Sequence, residues 1–250
     1  MGHTRNLLFA SGFLCAAALG GIAHADTNPG FDRPGLGFAP AVLQAGDVIW
    51  EQGLPDWSES DGTSLYTADT LLRLGIGGPF EAQLGTSYNH VHGAGVDAWG
   101  RGDTSLGLKF APAARGALSW GVLGTVEFTD GAQAFRGGRP QYALGGVINW
   151  QLDELDSVGT FVENVQSAGE GSQLVAMNAG RALTDTVGAY VEAAWLHDAG
   201  AGDGTMGGGG LTWMVTPRVQ LDASFRHRLS GEADTWEAGF GVSAYFGSLD

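Results

Sequence analysis

Residues 219–246 repeat one alternating pattern twice. Apolar residues occupy every second position, and polar residues or glycines lie between them: Val219, Leu221, Ala223, Phe225 and Leu229, then Trp236, Ala238, Phe240, Val242, Ala244 and Phe246. A period of two places the two sets on opposite faces of a strand. The polar sequence 230–235 joins the halves, so the pattern predicts a β-hairpin. Each strand has about ten residues, a length that suits a tilted membrane-spanning strand.

The same alternation divides the chain from Asp47 onward into about twelve segments, and an even count is typical of bacterial barrels. They are 47–55, 66–75, 80–91, 103–111, 117–128, 141–151, 157–166, 173–183, 187–197, 206–215, 219–229 and 236–246. Short connections at 76–79, 112–116, 152–156, 184–186 and 216–218 alternate with longer ones at 56–65, 92–102, 129–140, 167–172, 198–205 and 230–235. This asymmetry predicts an all-β fold, an antiparallel transmembrane β-barrel of about 12 strands over residues 47–247.

Alternation alone does not decide whether the apolar face of the strands contacts lipid or is buried in a protein core. A soluble periplasmic β-sandwich has the same period with its apolar face turned inward. The aromatic residues favour the barrel, because they cluster at both ends of the segments: Trp50, Phe80, Phe110, Trp120, Trp150, Trp213 and Phe246 at one end, and Trp57, Tyr66, Tyr88, Phe128, Tyr142, Trp195 and Trp236 at the other. Two such girdles are expected at the two membrane interfaces.

The N-terminal residues predict secretion. Arg5 precedes an apolar run from Leu7 to Leu19, and Ala23-His-Ala25 supplies small residues for cleavage, so residues 1–25 are predicted to be a signal peptide. Residues 26–46 contain several prolines and glycines and are predicted to be a periplasmic lead-in. The predicted location is the bacterial outer membrane, reached by secretion through the inner membrane.

Charge and candidate chemistry narrow the function. The chain has 12 Lys+Arg and 27 Asp+Glu, and without Arg5 the 11 remaining cations give a formal net charge of −16, which disfavours nucleic acid. Four histidines follow the signal, and none has an obvious catalytic triad, so no enzyme is predicted. His90-Val-His92 has the spacing of two strand ligands, but without a third ligand these are interpreted as loop histidines. No metal or cofactor is predicted.

The inward face is predicted to carry the functional residues, since a barrel lumen is polar. Parity assigns to it the pore-lining candidates Asp69, Arg73, Glu81, Gln83, Lys109, Glu127, Glu192, Asp222, Arg226, Arg228 and Glu237. Arg73 is expected to face Glu81, and Arg228 to face Glu237. Such pairs form a selectivity ring in a pore, or alternatively ion pairs that fill and stiffen a narrow barrel.

Several motifs resemble one family. They are Phe31-Asp-Arg-Pro-Gly35, Ala45-Gly46-Asp47, Asp69-Thr-Leu-Leu-Arg73, Gly100-Arg-Gly-Asp-Thr-Ser105, Gly209-Gly-Leu-Thr-Trp213 and Gly241-Val-Ser-Ala-Tyr-Phe-Gly247. Together they look like the outer-membrane transporters associated with the phenol-degradation meta-cleavage pathway, and the likeness covers nearly the whole chain after the signal. The resemblance implies the barrel fold and transport, whereas it says little about the substrate.

The function predicted from these features is a passive outer-membrane channel for small solutes, hydrophobic or aromatic ones included. The alternative is a structural or adhesive barrel that acts through its outer loops, and a soluble periplasmic binding protein is a third class. Expected partners are membrane lipid and lipopolysaccharide, a small-molecule solute, and the barrel-assembly machinery, which would engage the C-terminal strand. Arg101-Gly-Asp103 is interpreted as turn chemistry rather than an adhesion motif.

Overall fold

The computed structural model describes residues 30–168 and 170–247, so the predicted signal peptide lies outside the described residues. Every strand pairing is antiparallel. The strands are β1 (Val48–Gly53), β2 (Asp56–Ser60), β3 (Thr63–Gly77), β4 (Phe80–Gly93), β5 (Val96–Arg101), β6 (Ser105–Phe110), β7 (Leu118–Glu127), β8 (Gln141–Gln151), β9 (Asp156–Ser167), β10 (Glu170–Ala182), β11 (Val187–Asp198), β12 (Gly202–Thr216), β13 (Val219–Gly231) and β14 (Trp236–Phe246).

These strands close into one barrel. β1 and β2 are two halves of a single barrel strand interrupted at Leu54-Pro55, and both halves pair with β14 on one side and β3 on the other. β5 and β6 are likewise two parts of one strand, and both pair with β4. The fourteen segments therefore make twelve barrel strands, and the last meets the first. The predicted twelve-stranded antiparallel β-barrel is confirmed.

The outer surface of the barrel is apolar. Large hydrophobic side chains alternate along each strand and are exposed, such as Leu144 (62%), Ile148 (56%) and Val162 (47%). Charged side chains on the opposite faces are buried, with Arg73 and Lys109 at 0% exposure. A soluble sandwich would have the reverse arrangement, whereas a band of exposed apolar side chains around a closed barrel is the surface that contacts lipid.

No helix within the described ranges is long and apolar enough to span a membrane.

Five of the six predicted long loops are wrong in part, because strands extend into 56–65, 92–102, 167–172, 198–205 and 230–235. Most of 56–65 and 92–102 is strand, since β2 with β3 and β4 with β5 form hairpins that extend the barrel at the end where the long connections lie. Their tips, Asp61-Gly62 and Ala94-Gly95, have φ between 48° and 83° at all four positions. Two consecutive residues with positive φ make the tight turn that matches strand twist. These turns were predicted as part of longer loops because the sequence around them is polar. Connection 129–140 contains no strand, as predicted.

The facing of the strands can be tested with Val162, which lies near the middle of β9 on the outer face. Val162→Arg should lower the free energy of unfolding in lipid vesicles by about 2–4 kcal/mol, because it places a charge near the bilayer midplane. Leu152→Arg, at the connection between β8 and β9, should cost at most about 1 kcal/mol. Guanidinium titrations of the refolded variants measure both values, and equal costs would contradict the assigned membrane position.

Candidate functional site in the barrel lumen

The chain before β1 lies inside the barrel. Residues 30–46, here called the lumen segment, bury Phe31, Asp32, Leu36, Phe38, Ala39 and Leu43. Contacts to the wall are spread around the barrel: Arg33 with Asp56 of β2 and Asp222 of β13, Leu36 with Glu192 of β11, Phe38 with Phe161 of β9, and Leu43 with Glu81 of β4. The lumen segment therefore reaches several sides of the lumen and obstructs it.

Five buried charges tie the lumen segment to the wall, and we call them the Arg73 cluster: Asp32, Glu51, Arg73, Glu81 and Lys109. Nε of Arg73 donates to Oε1 of Glu81 at 2.8 Å, and Nη1 donates to Oε1 of Glu51 at 3.1 Å. Nζ of Lys109 lies 3.1 Å from both carboxylate oxygens of Asp32. Because every member is almost fully buried, each charge depends on its neighbours for stabilisation.

Wall carboxylates also accept hydrogen bonds from the backbone of the lumen segment. The backbone amides of Asp32 and Arg33 donate to the two oxygens of Glu51, at 2.9 and 2.8 Å. Within the lumen segment itself, the amide of Ala39 donates to Oδ1 of Asp32 at 2.8 Å, and this bond closes a loop of the segment. A chain without secondary structure must satisfy its buried amides in some other way, and these side chains do so.

A second ion pair lies beside β14. The guanidinium of Arg33 donates to both oxygens of Asp56, at 2.8 and 2.9 Å, and approaches Asp222 at 3.4 Å. The inward positions of β14 next to it are Gly239 and Gly241. A Cβ at Gly241 would lie 2.2 Å from Nε of Arg33, and one at Gly239 would lie 2.3 Å from Oδ1 of Asp56. The glycines therefore leave the space in which this pair forms.

Arg226, rather than Arg228, pairs with Glu237. Nη1 of Arg226 lies 3.2 Å from Oε2 of Glu237, and Nε donates to Oε1 of Glu192 at 2.6 Å. The predicted pairing of Arg228 with Glu237 is wrong: Arg228 instead donates to Ala233 and Thr235. β13 continues to Gly231 because it pairs with β12 there, so the connection bends asymmetrically and the register differs from a symmetric fold.

The run Gly207–Gly210 in β12 accommodates this charged group. A Cβ at Gly208 would lie 2.0 Å from the carbonyl oxygen of Phe225 and 2.7 Å from Cα of Arg226. A Cβ at Gly210 would lie 2.7 Å from the hydroxyl of Tyr190. Any side chain at Gly208 or Gly210 would overlap these atoms. The glycines therefore allow β12 to approach its neighbours closely, which is a common role of glycine within a strand.

An apolar cluster lies inside the barrel on the side of β7 to β12, among buried polar side chains such as Asn149 and Glu192. Leu36 and Phe38 of the lumen segment belong to a buried cluster whose wall members come from six consecutive strands: Leu123, Val147, Phe161, Ala176, Ala194 and Met206. The rings of Phe38 and Phe161 meet edge to face at 5.8 Å. Beside this cluster is a cavity of about 20 Å³, with Leu71, Gln83 and Glu163 in its lining. A cavity of that size holds about one water molecule.

The connection 128–140 folds over the barrel mouth at the end of the long loops. Asp103 accepts hydrogen bonds from the amides of Gly131 and Gly137, both at 2.6 Å, and Phe135 is buried. The amide and hydroxyl of Thr104 donate to Asp130 and hold the pKa of that carboxyl below its usual value. Arg101 also donates to the backbone carbonyl of Asp130. The carboxylate of Asp103 therefore holds connection 128–140 against the residues that precede β6.

The strand pairing directs the side chains of the predicted pore-lining residues inward. Arg73 and Glu81 form the expected pair, although in the register Arg73 is opposite Gln83. Gln83 and Lys109 both bond to Asp32. The other seven lie apart from the Arg73 cluster. Arg226 pairs with Glu192 and Glu237, and Asp222 and Asp69 lie beside the Arg33–Asp56 pair. Glu127 bonds to Gln141, and Arg228 lies at the mouth.

Five residues that hold the lumen segment or connection 128–140 were not among the predicted site residues: Asp32, Arg33, Glu51, Asp56 and Asp103. The signal for Glu51 was present, because its position in β1 has the inward parity of Ile49 and Gly53. Asp32 and Arg33 are charged residues within an otherwise apolar stretch rich in Gly and Pro, which is a weaker signal.

No protein-family model matches the chain, and no curated protein matches it in sequence. Among solved structures, the chain is similar to the NanC porin, with a TM-score of 0.56 and 9% identity over 80% of this chain and 100% of that one. It is also similar to the KdgM porin in complex with disordered oligogalacturonate, with a TM-score of 0.57 and 9% identity over 80% of this chain and 99% of that one.

At this identity the likeness establishes the fold. The chain has the fold of these porin barrels, and its apolar outer band places it in the bacterial outer membrane.

Replacing Arg73 should destabilise the barrel, because three buried carboxylates would lose their shared cation. We expect Arg73→Met to lower the free energy of unfolding by about 3–5 kcal/mol, measured by guanidinium titration in lipid vesicles. The control is Arg181→Met, which removes a guanidinium that is 58% exposed and 3.2 Å from Asp156. The control should change stability by at most about 1 kcal/mol. Equal effects would contradict the importance assigned to the cluster.

Loss of the Asp103 carboxylate should release the loop over the mouth. We expect Asp103→Ala to accelerate trypsin cleavage after Arg136 by about 5- to 30-fold, which corresponds to about 1–2 kcal/mol of loop stability. Glu154→Ala removes an exposed carboxylate at the other end of the barrel and should leave the cleavage rate unchanged. Cleavage at the wild-type rate in Asp103→Ala would refute this anchoring role.

Proposed function

We propose that this protein is a passive outer-membrane channel for small solutes with apolar or aromatic character. In the described state the lumen segment closes it, and displacement of that segment opens a path. The observation that carries the proposal is the apolar cluster on the lumen wall, which Leu36 and Phe38 cover. Withdrawal of these two side chains would expose an apolar surface inside the barrel, and that surface suits a hydrophobic solute.

The character of the wall supports this solute class. A porin lumen is generally polar and filled with water, whereas this one combines buried ion pairs with an apolar cluster. Three buried polar atoms have no hydrogen-bond partner within the described ranges: Nε of Arg33, the hydroxyl of Tyr190 and Oδ2 of Asp222. Tyr190 interacts electrostatically with both other residues, so these groups lie near one another. The ring of a hydroxylated aromatic solute would contact the apolar cluster, and its hydroxyl would bond to these polar atoms.

The charge of the lumen argues against the solute of the KdgM complex. Oligogalacturonate carries a carboxylate on each sugar. The ion pairs described above contain four cations, Arg33, Arg73, Lys109 and Arg226, and seven carboxylates, Asp32, Glu51, Asp56, Glu81, Glu192, Asp222 and Glu237. Their formal sum is negative, so an acidic oligosaccharide would be repelled. The proposed solutes are therefore neutral or cationic.

The family resemblance supports a transport function and leaves the solute open, so the proposed solute class depends on the lumen wall alone. One of the motifs that carry the resemblance, Phe31-Asp-Arg-Pro-Gly35, lies in the lumen segment. Within this proposal, the barrel-assembly machinery recognises β14, and the pore-lining residues predicted from the sequence line the path when the segment moves.

A second candidate function is a non-conducting barrel that works through its outer loops. The packing of the lumen segment favours it, because this segment obstructs the lumen, and Asp103 holds connection 128–140 in a fixed position for contacts outside the barrel. The two candidates differ in one respect: a channel has an obstruction that can be displaced, and a scaffold has one that cannot.

Solute flux into liposomes tests the proposal. We expect the double variant Leu36→Ala with Phe38→Ala to raise the flux of phenol-sized aromatic solutes several-fold over wild type, with a smaller effect on sugars of similar size. Leu54→Ala, which truncates an exposed leucine between β1 and β2, should resemble wild type. Heat-modifiable mobility on a gel confirms that each variant retains the barrel. Equal flux in empty, wild-type and double-variant liposomes would favour the non-conducting barrel.

A further inference from the structure

Three potential metal ligands meet on the outer face of the β4–β5 hairpin. His90 and His92 point to the same side of β4, and the pairing register places Asp97 opposite His92 and Trp99 opposite His90. Nε2 of His90 lies 2.9 Å from Oδ1 of Asp97, and Nδ1 of His92 lies 3.6 Å from Oδ2. The third ligand that the sequence analysis did not find is thus supplied by the neighbouring strand, since 92–102 is a hairpin rather than a loop.

We propose that His90, His92 and Asp97 bind a divalent transition metal ion of the zinc type, with one or more coordination positions open to an external ligand. One ligand atom from each residue lies within 4.8 Å of the other two. Tetrahedral zinc with bonds of about 2.0–2.2 Å requires ligand atoms about 3.3–3.5 Å apart, so small side-chain rotations suffice. Two imidazoles and one carboxylate, with open positions, form a common donor set for such ions.

The hairpin holds the first ligand in place before any ion binds. The ring of His90 stacks on Trp99 with centroids 3.7 Å apart and planes at 4°, and it also lies parallel to Tyr66 at 5.9 Å. Its side chain is only 18% exposed, whereas the side chains of His92 and Asp97 are 66% and 63% exposed. One ligand is therefore fixed by packing and two are accessible, which leaves an ion an approach from outside the barrel.

The location separates this site from the lumen. The three side chains face outward above Tyr88, an exposed aromatic residue at the long-loop end of β4. A bound ion would join β4 to β5 next to the Ala94-Gly95 turn and would stabilise this extension of the barrel. Its open positions would face the headgroup region of the outer leaflet, where anionic oxygen ligands are present.

The barrel contains a matched control at a second hairpin. His197 of β11 lies 2.7 Å from Asp203 of β12 and stacks near Trp195, with ring centroids 6.0 Å apart. This pair resembles His90 with Asp97, but within the described ranges it belongs to no group of three ligands. Comparison of the two hairpins therefore isolates the contribution of the second histidine.

Calorimetric titration of ZnCl₂ into the purified, detergent-folded protein without a polyhistidine tag tests the site. We expect one zinc ion per chain in the wild type, and binding at least about tenfold weaker in His92→Gln and in Asp97→Asn. His197→Gln should bind as the wild type does. Zinc should also raise the melting temperature of the wild type and of His197→Gln, but not of His92→Gln.

Two results would overturn this site. One is the absence of zinc binding to a wild-type protein that shows normal heat-modifiable mobility. The other is binding of equal strength in wild type and His92→Gln, which would place the ion elsewhere. Neither result would affect the solute flux measurements, because the three ligands lie outside the lumen.

Discussion

Closure of the β-sheet is the constraint on which the rest of this structure depends. Within a bilayer no water is available to backbone amides, so a spanning sheet must pair every strand edge. Here β14 completes the ring by pairing with β1 and then with β2, on either side of the break at Leu54-Pro55. A proline in a strand removes a ladder hydrogen bond, and the break confines that loss to one position. Closure also encloses an interior, and the way in which the interior is filled determines what the barrel can do.

Two kinds of contact fill the interior of the barrel, namely ion pairs and apolar packing. On one side, charged side chains from the wall and from the lumen segment compensate one another, as Arg73 does for Asp32, Glu51 and Glu81. On the other side, Leu36 and Phe38 remove apolar wall from water. The first arrangement is specific in geometry but contributes little net stability, whereas the second supplies a favourable transfer free energy. The same short segment takes part in both, so its position is specified by charge and stabilised by packing.

The sequence predicted the strands, their number and the inward face, because a period of two is a local property. It also predicted that Arg73 pairs with Glu81, although the register is offset by two residues near the turn, and the two long side chains meet diagonally across that offset. Glu237 was assigned the wrong arginine because the longer connection bends at Gly231, and that bend depends on pairing with β12. The lumen segment has no periodicity, and the partners of Arg33 are 23 and 189 residues away. Such contacts follow from the closed barrel rather than from any pattern in the chain.

The position of Arg33 has a consequence for biogenesis. Its two carboxylate partners belong to strands on either side of β14, with Asp56 from the beginning of the sheet and Asp222 from near its end. These partners become neighbours only when the two ends of the sheet have met. Gly239 and Gly241 of β14, the strand between them, leave the space that the ion pair occupies. An unfinished sheet has no complete binding site for this guanidinium. The complete set of contacts of the lumen segment therefore requires a closed ring, so sealing of the interior depends on completed assembly.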